Sequence, residues 1–477
     1  MKPLTDTRAY WLIALMAVLF MVPHSMAPWG NGNYPTDICV YTRCAGWIDS
    51  GLVMYRDMFD HKGPLVYAVY WAATRCGGLH GVWLLDLLIA GCFLFLSYRI
   101  ARRFTDIRHA LLITGLAGLY LNLPFTDEGG PGWIAMIGCT YVCYLFAKLV
   151  QDEQYCSFAE IALLSAAVAV CLLTKMNTAA GIIPVALYIL VHLIRHFNWK
   201  VLLRYVAGVL TGLAVFFIPV ALWLWQQGNI QDCIDAYWTF NTHGYGVAEH
   251  NSKLLSLLLI TLVLLPAYMI FGCYVYCRHR DTKQVWWFAA LFLVSVGLNA
   301  YMKNGYPHYI FPCFGVFVLL LAACWEQLRT HKALYITVLT LCILVGGASY
   351  GVRAYHRLSP FDTHADTEVA QFINEQCGEA DYVMVCDVDD RSRWSAMSPS
   401  YSFAYRLWLL LDAKPASPYF YLPPSITPAM RAHSWQLITA RMPRFVVCTE
   451  DHKQDYMALG YTLKQDIQND FYILQRP

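Results

Sequence analysis

Five ionisable side chains fall within seven consecutive positions of this 477-residue chain: Arg56, Asp57, Asp60, His61 and Lys62, in the stretch GLVMYRDMFDHKGPLVY that begins at Gly51. Apolar residues flank them on both sides. Arg56 carries a planar fork of donors that matches an oxyanion, and Lys62 a compact point charge. Asp60 and His61, with Asp57 nearby, are candidate ligands for a divalent metal ion bridging such an oxyanion. A plainer alternative is that Arg56 and Lys62 only pair with Asp57 and Asp60, or with lipid headgroups. A further acid, Asp37, is the only carboxylate between the first long apolar run and Trp47. It stands just after Pro35, where it can cap a helix, and it is equally able to take a proton from a hydroxyl group.

What must position these groups follows from composition. Hydrophobic residues make up 58% of the chain and charged residues 14%, against about 25% charged in a soluble domain. This is the balance of a polytopic α-helical protein whose surroundings are the lipid bilayer. The formal net charge of +2 gives no field for a polyanion, so no nucleic-acid partner is expected. Many of the 17 cysteines lie inside apolar runs, and none shows a CxxC or zinc-ligand spacing. They read as small buried hydrophobes, and their odd number argues against a complete disulfide framework.

Apolar runs of spanning length predict about eleven transmembrane helices, at roughly 9–27, 80–98, 109–124, 132–150, 157–174, 178–194, 203–225, 254–277, 285–301, 308–325 and 334–351. The first lacks a clear small-residue cleavage site and reads as an uncleaved span. With the N-terminus in the cytoplasm, fifteen Lys and Arg fall on inner segments and seven on short outer ones, which is the bias of cytoplasmic loops. An odd number of spans then sends the C-terminus outside. The chain divides into a membrane domain, 1–353, with a first outer loop at 28–64, and a small extracytoplasmic α/β domain, 354–477. In the latter, YVMVCDV, RFVVCTE and FYILQR read as strands, and DTEVAQFINEQC, AMRAHSWQLITARM and HKQDYMALG as helices.

The charged cluster therefore lies in the first outer loop. A charge at mid-bilayer costs about 2.5–3.5 kcal/mol even on the lenient insertion scale, so five in seven residues must sit at the outer boundary or line a polar cavity. Upstream of it, Ile38, Tyr41, Ala45 and Ile48 recur at helical spacing. They predict an interfacial helix after Pro35, lying along the membrane with Tyr41 and Trp47 at the boundary.

The loop pattern D-x-x-x-Y followed by G-x-x-x-Y-R-D-x-F-D-H-K-G-P-L, residues 37–65, resembles the first outer loop of polyprenyl-phosphate-sugar-dependent glycosyltransferases. These form the GT-C superfamily, which includes the protein O-mannosyltransferases and the aminoarabinose transferases. NGYPHYIFP (304–312) resembles a later outer motif, and FTDEGGPGW (125–133) occupies the place of the second outer acidic loop. The resemblance spans roughly 28–350 in architecture. Where many relatives carry Asp-Glu, Ile38 here follows Asp37. The resemblance implies a donor sugar on a polyprenyl phosphate, a glycan, lipid or protein acceptor, and transfer with inversion outside the cytoplasm, in the inner (plasma) membrane. It places Asp37 at the catalytic carboxylate, with Asp127 and Glu128 as further acids. Lys62 matches the family's loop lysine. Tyr41, Tyr55, Arg56, Lys175, His308 and Tyr309 are then candidate substrate contacts, with Asp60 and His61 as candidate metal ligands. A leaving phosphate is stabilised by fixed cations, which is the role this assigns to Arg56 and Lys62.

Plainer readings stand beside these. Asp127 and Glu128 also suit a solvated helix end, Lys175 can snorkel from a span, and His308 and Tyr309 can anchor at the interface. A second function class is a transporter or flippase of a lipid-linked glycan. That class predicts internal repeats and ionisable residues deep in several spans. The strongest charge cluster here is at one boundary instead.

Overall fold

The computed structural model describes residues 5–123, 129–152, 155–244, 253–278, 282–301, 311–361, 363–378, 380–385, 399–420, 427–467 and 471–477. Helices dominate: α1 (Asp6–Phe20), α2 (Thr36–Asp49), α3 (Pro64–Ala101), α4 (Ile107–Tyr120), α5 (Pro131–Asp152), α6 (Phe158–Thr174), α7 (Ile183–Arg195), α8 (Trp199–Gln227), α9 (Ile230–Cys233), α10 (Lys253–Arg278), α11 (Thr282–Tyr301), α12 (Phe314–Thr330) and α13 (Lys332–Leu358). A π-helix, Ile234–Gly244, continues α9. After these come α14 (His364–Asn374), β1 (Tyr382–Val385), α15 (Pro399–Leu410), β2 (Lys414–Pro415), α16 (Pro428–Arg441), β3 (Phe445–Thr449), α17 (Glu450–Ala458), β4 (Thr462–Ile467) and β5 (Phe471–Gln475). The chain forms two compact units. One comprises Met1–Gly30, Trp83–Val220 and His250–Ser359, the other Asn31–Val82, Ala221–Glu249 and Pro360–Pro477.

The first unit is a helical bundle. Among the described residues, six helical segments are long and apolar enough to cross a membrane: Pro64–Ala101, Pro131–Asp152, Met176–Arg195, Trp199–Gln227, Phe311–Thr330 and Lys332–Leu358. Shorter apolar helices include α4 and α6. The polytopic helical architecture is as expected. Within the unit α5 packs against α6 and α12. Small residues allow it: a Cβ on Gly315 of α12 would stand 2.8 Å from Thr140 Cα of α5. Lipid gives helices no hydrophobic reason to associate, so close backbone approach supplies the attraction.

The first expected span is shorter than its apolar run. α1 ends at Phe20, and the chain then turns through residues 21–30. Pro23 lacks the donor a continuing helix needs, and His24 finds a partner elsewhere. Its Nε2 lies 2.8 Å from Asp86 Oδ2 on α3, and both side chains are fully buried. His24 Nδ1 accepts the Met26 amide hydrogen at 3.1 Å. The ring proton therefore sits on Nε2 and points at the carboxylate. Neither residue was singled out by the sequence, where both sit inside apolar stretches.

The second unit is built on a five-stranded sheet in the order β2-β1-β3-β5-β4. β1 is parallel to β2 and β3, while β5 is antiparallel to β3 and β4. The three expected strands are β1, β3 and β5, and the three expected helices are α14, α16 and α17. The core gathers Met384, Ile438, Val446, Tyr456 and Leu474. β4 and α15 were not anticipated. β4 is an edge strand with five of its six residues exposed, so it shows no apolar alternation.

α15 changes the reading of α2. The two helices pack together, and α2 is enclosed from Ile38 to Ala45 apart from a half-exposed Arg43. Trp47 and Tyr41 are 0% and 1% exposed. Trp47 stacks edge-on against Trp408 and Phe420 and donates its indole hydrogen to Ala413 O at 3.2 Å. These aromatics are core residues of the second unit rather than a membrane-boundary belt. Helical spacing located α2 correctly but could not distinguish a lipid-facing stripe from one covered by a distant part of the chain.

Candidate active site

Two segments of the second unit position the cluster. α2 begins after Pro35, which makes no side-chain cap. Asp37 is therefore in the first turn and is not the cap. Its Oδ2 accepts the hydroxyl hydrogen of Tyr41, one turn on, at 3.1 Å. Asp37 is half-buried, so its carboxylate keeps access to a reactant.

Downstream, residues 53–58 form a tight loop. Asp57 closes it: its Oδ2 accepts the Val53 amide at 2.8 Å, and its own amide donates to Val53 O at 2.9 Å. This employs Asp57 in the turn. Tyr55 sits at φ +70°, a left-handed conformation that costs a bulky residue energy and persists only where its surroundings hold it. What holds it here is burial and a hydrogen bond from its hydroxyl to Lys62 O at 2.9 Å. Burial also raises its phenol well above the ordinary value.

The centre of the cluster is Asp60, 0% exposed. Its Oδ2 accepts the Tyr67 hydroxyl hydrogen. Its Oδ1 accepts the His61 amide at 2.6 Å and lies 3.2 Å from His61 Nδ1 and 3.8 Å from Lys62 Nζ. Lys62 Nζ is 3.0 Å from His61 Nε2. For the ammonium to donate there, the imidazole must be neutral with its proton on Nδ1, facing Asp60. Burial first, and the Lys62 charge second, hold the His61 pKa below its ordinary value, opposed by Asp60 and Asp37. The His61 carbonyl accepts from Asn241 Nδ2 at 2.7 Å. Tyr67 links the two segments, since its ring meets that of Tyr41 at 6.1 Å while its hydroxyl holds Asp60.

Asp37, Tyr41, Tyr55, Asp60, His61 and Lys62 thus belong to one small region of the second unit. Arg56 faces another way. It is 48% exposed, and its guanidinium pairs with Asp232 at 2.9–3.0 Å and with Gly228 O. Lys175 lies in the first unit, at the end of α6, where its amide donates to Cys171 O at 2.9 Å. Asp127, Glu128, His308 and Tyr309 lie outside the described residues. Among the described residues, no three His, Cys, Asp or Glu side chains converge as a metal centre. Both Asp60 oxygens are engaged, and the Lys62 ammonium stands at the imidazole nitrogen a cation would take. The fixed positive charge beside Asp60 is the Lys62 ammonium.

Sequence reasoning missed Tyr67, Asn241 and Phe59. Phe59 lies between Phe240 and Tyr419, with ring centroids at 5.2 and 5.4 Å, and its amide donates to Pro418 O at 2.8 Å. Its position beside Asp60 was a usable signal; its distant partners left none.

No protein-family model matches the chain, and no curated protein does. Solved structures do. ArnT from Cupriavidus metallidurans, in the apo state and bound to undecaprenyl phosphate, matches with a TM-score of 0.63 at 14% identity. The match covers 98% of this chain and 96% and 97% of the two ArnT chains. The oligosaccharyltransferase AglB from Archaeoglobus fulgidus, in complex with an inhibitory peptide and a dolichol-phosphate, matches with a TM-score of 0.51 at 9% identity, over 95% of this chain and 71% of its own. The arabinofuranosyltransferase AftD from Mycobacteria reaches 0.57 at 12% identity, over 99% of this chain and 40% of its own. These are GT-C glycosyltransferases. The chain therefore has the polytopic GT-C fold that its first outer loop led us to expect.

Proposed function

We propose that this protein is a membrane glycosyltransferase that moves one sugar from a polyprenyl-phosphate carrier to a glycan, lipid or protein acceptor outside the cytoplasm. The observation that carries the reading is the pairing, on a GT-C fold, of an accessible carboxylate at Asp37 with a fixed ammonium at Lys62 held by a neutral His61. The acceptor hydroxyl gives its proton to Asp37 as its oxygen attacks the anomeric carbon. The bond from that carbon to the phosphate oxygen breaks, and the electron pair leaves with the phosphate. Lys62 stabilises the charge that develops there. A single displacement inverts the sugar carbon. Asp60, fully buried with both oxygens engaged, orients His61 and Lys62 and is not the base. Tyr41 orients Asp37, and Tyr55 holds the Lys62 backbone.

In this reading the protein lies in the inner (plasma) membrane with about eleven spans. The N-terminus is cytoplasmic and the α/β region extracytoplasmic, as the basic-residue bias requires. The sugar is a hexose, pentose or aminosugar. The test is to incubate purified protein with a panel of polyprenyl-phosphate sugars and an acceptor extract, and to measure polyprenyl phosphate released. Movement of intact donor across liposomes without release would sink the transferase reading and support a flippase.

A further inference from the structure

The helical stretch formed by α9 and the π-helix has three faces. One is buried: Cys233, Ala236 and Phe240 are each 7% exposed or less. The second is apolar and exposed, with Ile230, Ile234 and Trp238, four residues apart, at 42%, 45% and 57%. The third is polar and exposed, Gln231, Asp235 and Thr239, again four apart, with Gln231 donating to Asp235 at 3.0 Å. A helix between protein and water needs two faces. A third, apolar and uncovered, is the signature of a helix that also touches lipid.

The apolar stripe also has a continuation. It follows Leu222 and Trp225, 49% and 68% exposed, at the end of α8, a 29-residue helix long and apolar enough to cross a membrane. Two exposed tryptophans, Trp225 and Trp238, thus flank the junction after a helix of spanning length, and indole rings concentrate at the membrane–water boundary. We infer that the α9–π-helix stretch is an interfacial anchor, lying in the bilayer surface with Ile230, Ile234 and Trp238 among the lipid chains near the headgroups and with Gln231, Asp235 and Thr239 in water. A π-helix turn widens the spacing of side chains and often marks a functional segment.

The same stretch holds the loop that carries the candidate site. Asn229 Nδ2 donates to Met54 O at 2.8 Å, Asp232 holds Arg56, Phe240 packs on Phe59, and Asn241 binds the His61 carbonyl. The anchor thereby sets the height of Asp60, His61 and Lys62 relative to the bilayer surface, where the phosphate of a lipid-linked molecule lies. This last step rests on the transferase reading; the membrane contact does not.

The experiment uses full-length protein in liposomes and two photoactivated diazirine probes, one on a phospholipid just below the headgroup and one dissolved in water, with adducts located by mass spectrometry. The lipid probe is expected on Ile230, Ile234 and Trp238, and the water probe on Gln231, Asp235 and Thr239. Equal water labelling of both stripes, or cross-linking of Trp238 to a second copy, would overturn the anchor. Trp238→Glu should cut lipid labelling of Ile234 several-fold at unchanged melting temperature; unaltered labelling overturns it too. With a donor in hand, the same variant should raise KM for the lipid-linked sugar about 10-fold and leave kcat near its original value. Unchanged KM with lost labelling would overturn the link to the site while leaving the anchor intact.

Discussion

At the scale of single residues, the two acids of the second unit have different environments. Among the described residues Asp37 accepts from Tyr41 and is half-buried, whereas Asp60 is sealed among donors. Because Asp37 does not cap α2, Asp37→Asn should leave folding and donor binding nearly intact while transfer falls by about 10²-fold or more. Near-normal transfer would remove Asp37 from the role of base and turn attention to Asp127 and Glu128. Lys62→Ala should cost a similar factor, about 10²-fold, through lost stabilisation of the leaving phosphate. Undiminished turnover in a folded variant would exclude Lys62. His61 gives a pH signature. Its native pKa lies below the ordinary 6.5, so just below pH 6.5 the unfolded chain binds a proton that the native chain refuses. Stability is therefore expected to fall as the pH drops from 6.5 toward the native value. Melting temperatures across pH 5–8 should show this slope, and His61→Asn should flatten it.

At the scale of elements, one buried contact ties two helical segments together. The buried pair of His24 and Asp86 ties the turn after α1 to α3. Removing Asp86 strands the buried Nε2–H donor of a neutral His24, which costs about 1–3 kcal/mol, so Asp86→Ala should lower the melting temperature in detergent. Asp86→Asn, whose carbonyl can still accept from Nε2, should cost much less. Equal losses in the two variants would contradict the tautomer deduced from the Met26 contact. Helical periodicity and turn residues made α2, β1, β3 and β5 legible in the sequence. α15 and β4 were not, because one begins in a mixed polar and aromatic stretch and the other exposes nearly every side chain.

At the scale of the molecule, the first outer loop, the segment Ala221–Glu249 and the C-terminal α/β region form one compact unit although they are far apart in sequence. Trp47 and Phe59 rest on Trp408, Phe420 and Tyr419. A chain ending at Ser359 should therefore expose the loop: limited proteolysis should cut within residues 31–63 far faster than in the full protein. Equal protection would show that the loop holds its shape unaided. For orientation, a reporter fused after Pro477 should be active only outside the cytoplasm, from the basic-residue bias.

The membrane character, most of the helices, the loop cluster and its resemblance to GT-C loops were legible in the chain alone. These are local properties: hydropathy over one span, periodicity over a few turns, residue types within a short stretch. Which acid stays open, where Arg56 points, and that Lys62 stands against His61 follow from the fold. Each of those outcomes depends on what distant segments bury or hydrogen-bond. Tyr67 and the His61 amide occupy Asp60, Asp232 draws Arg56 away, and α15 covers α2. Burial sets the cost of a charge and the availability of a lone pair, and burial is a property of the folded chain.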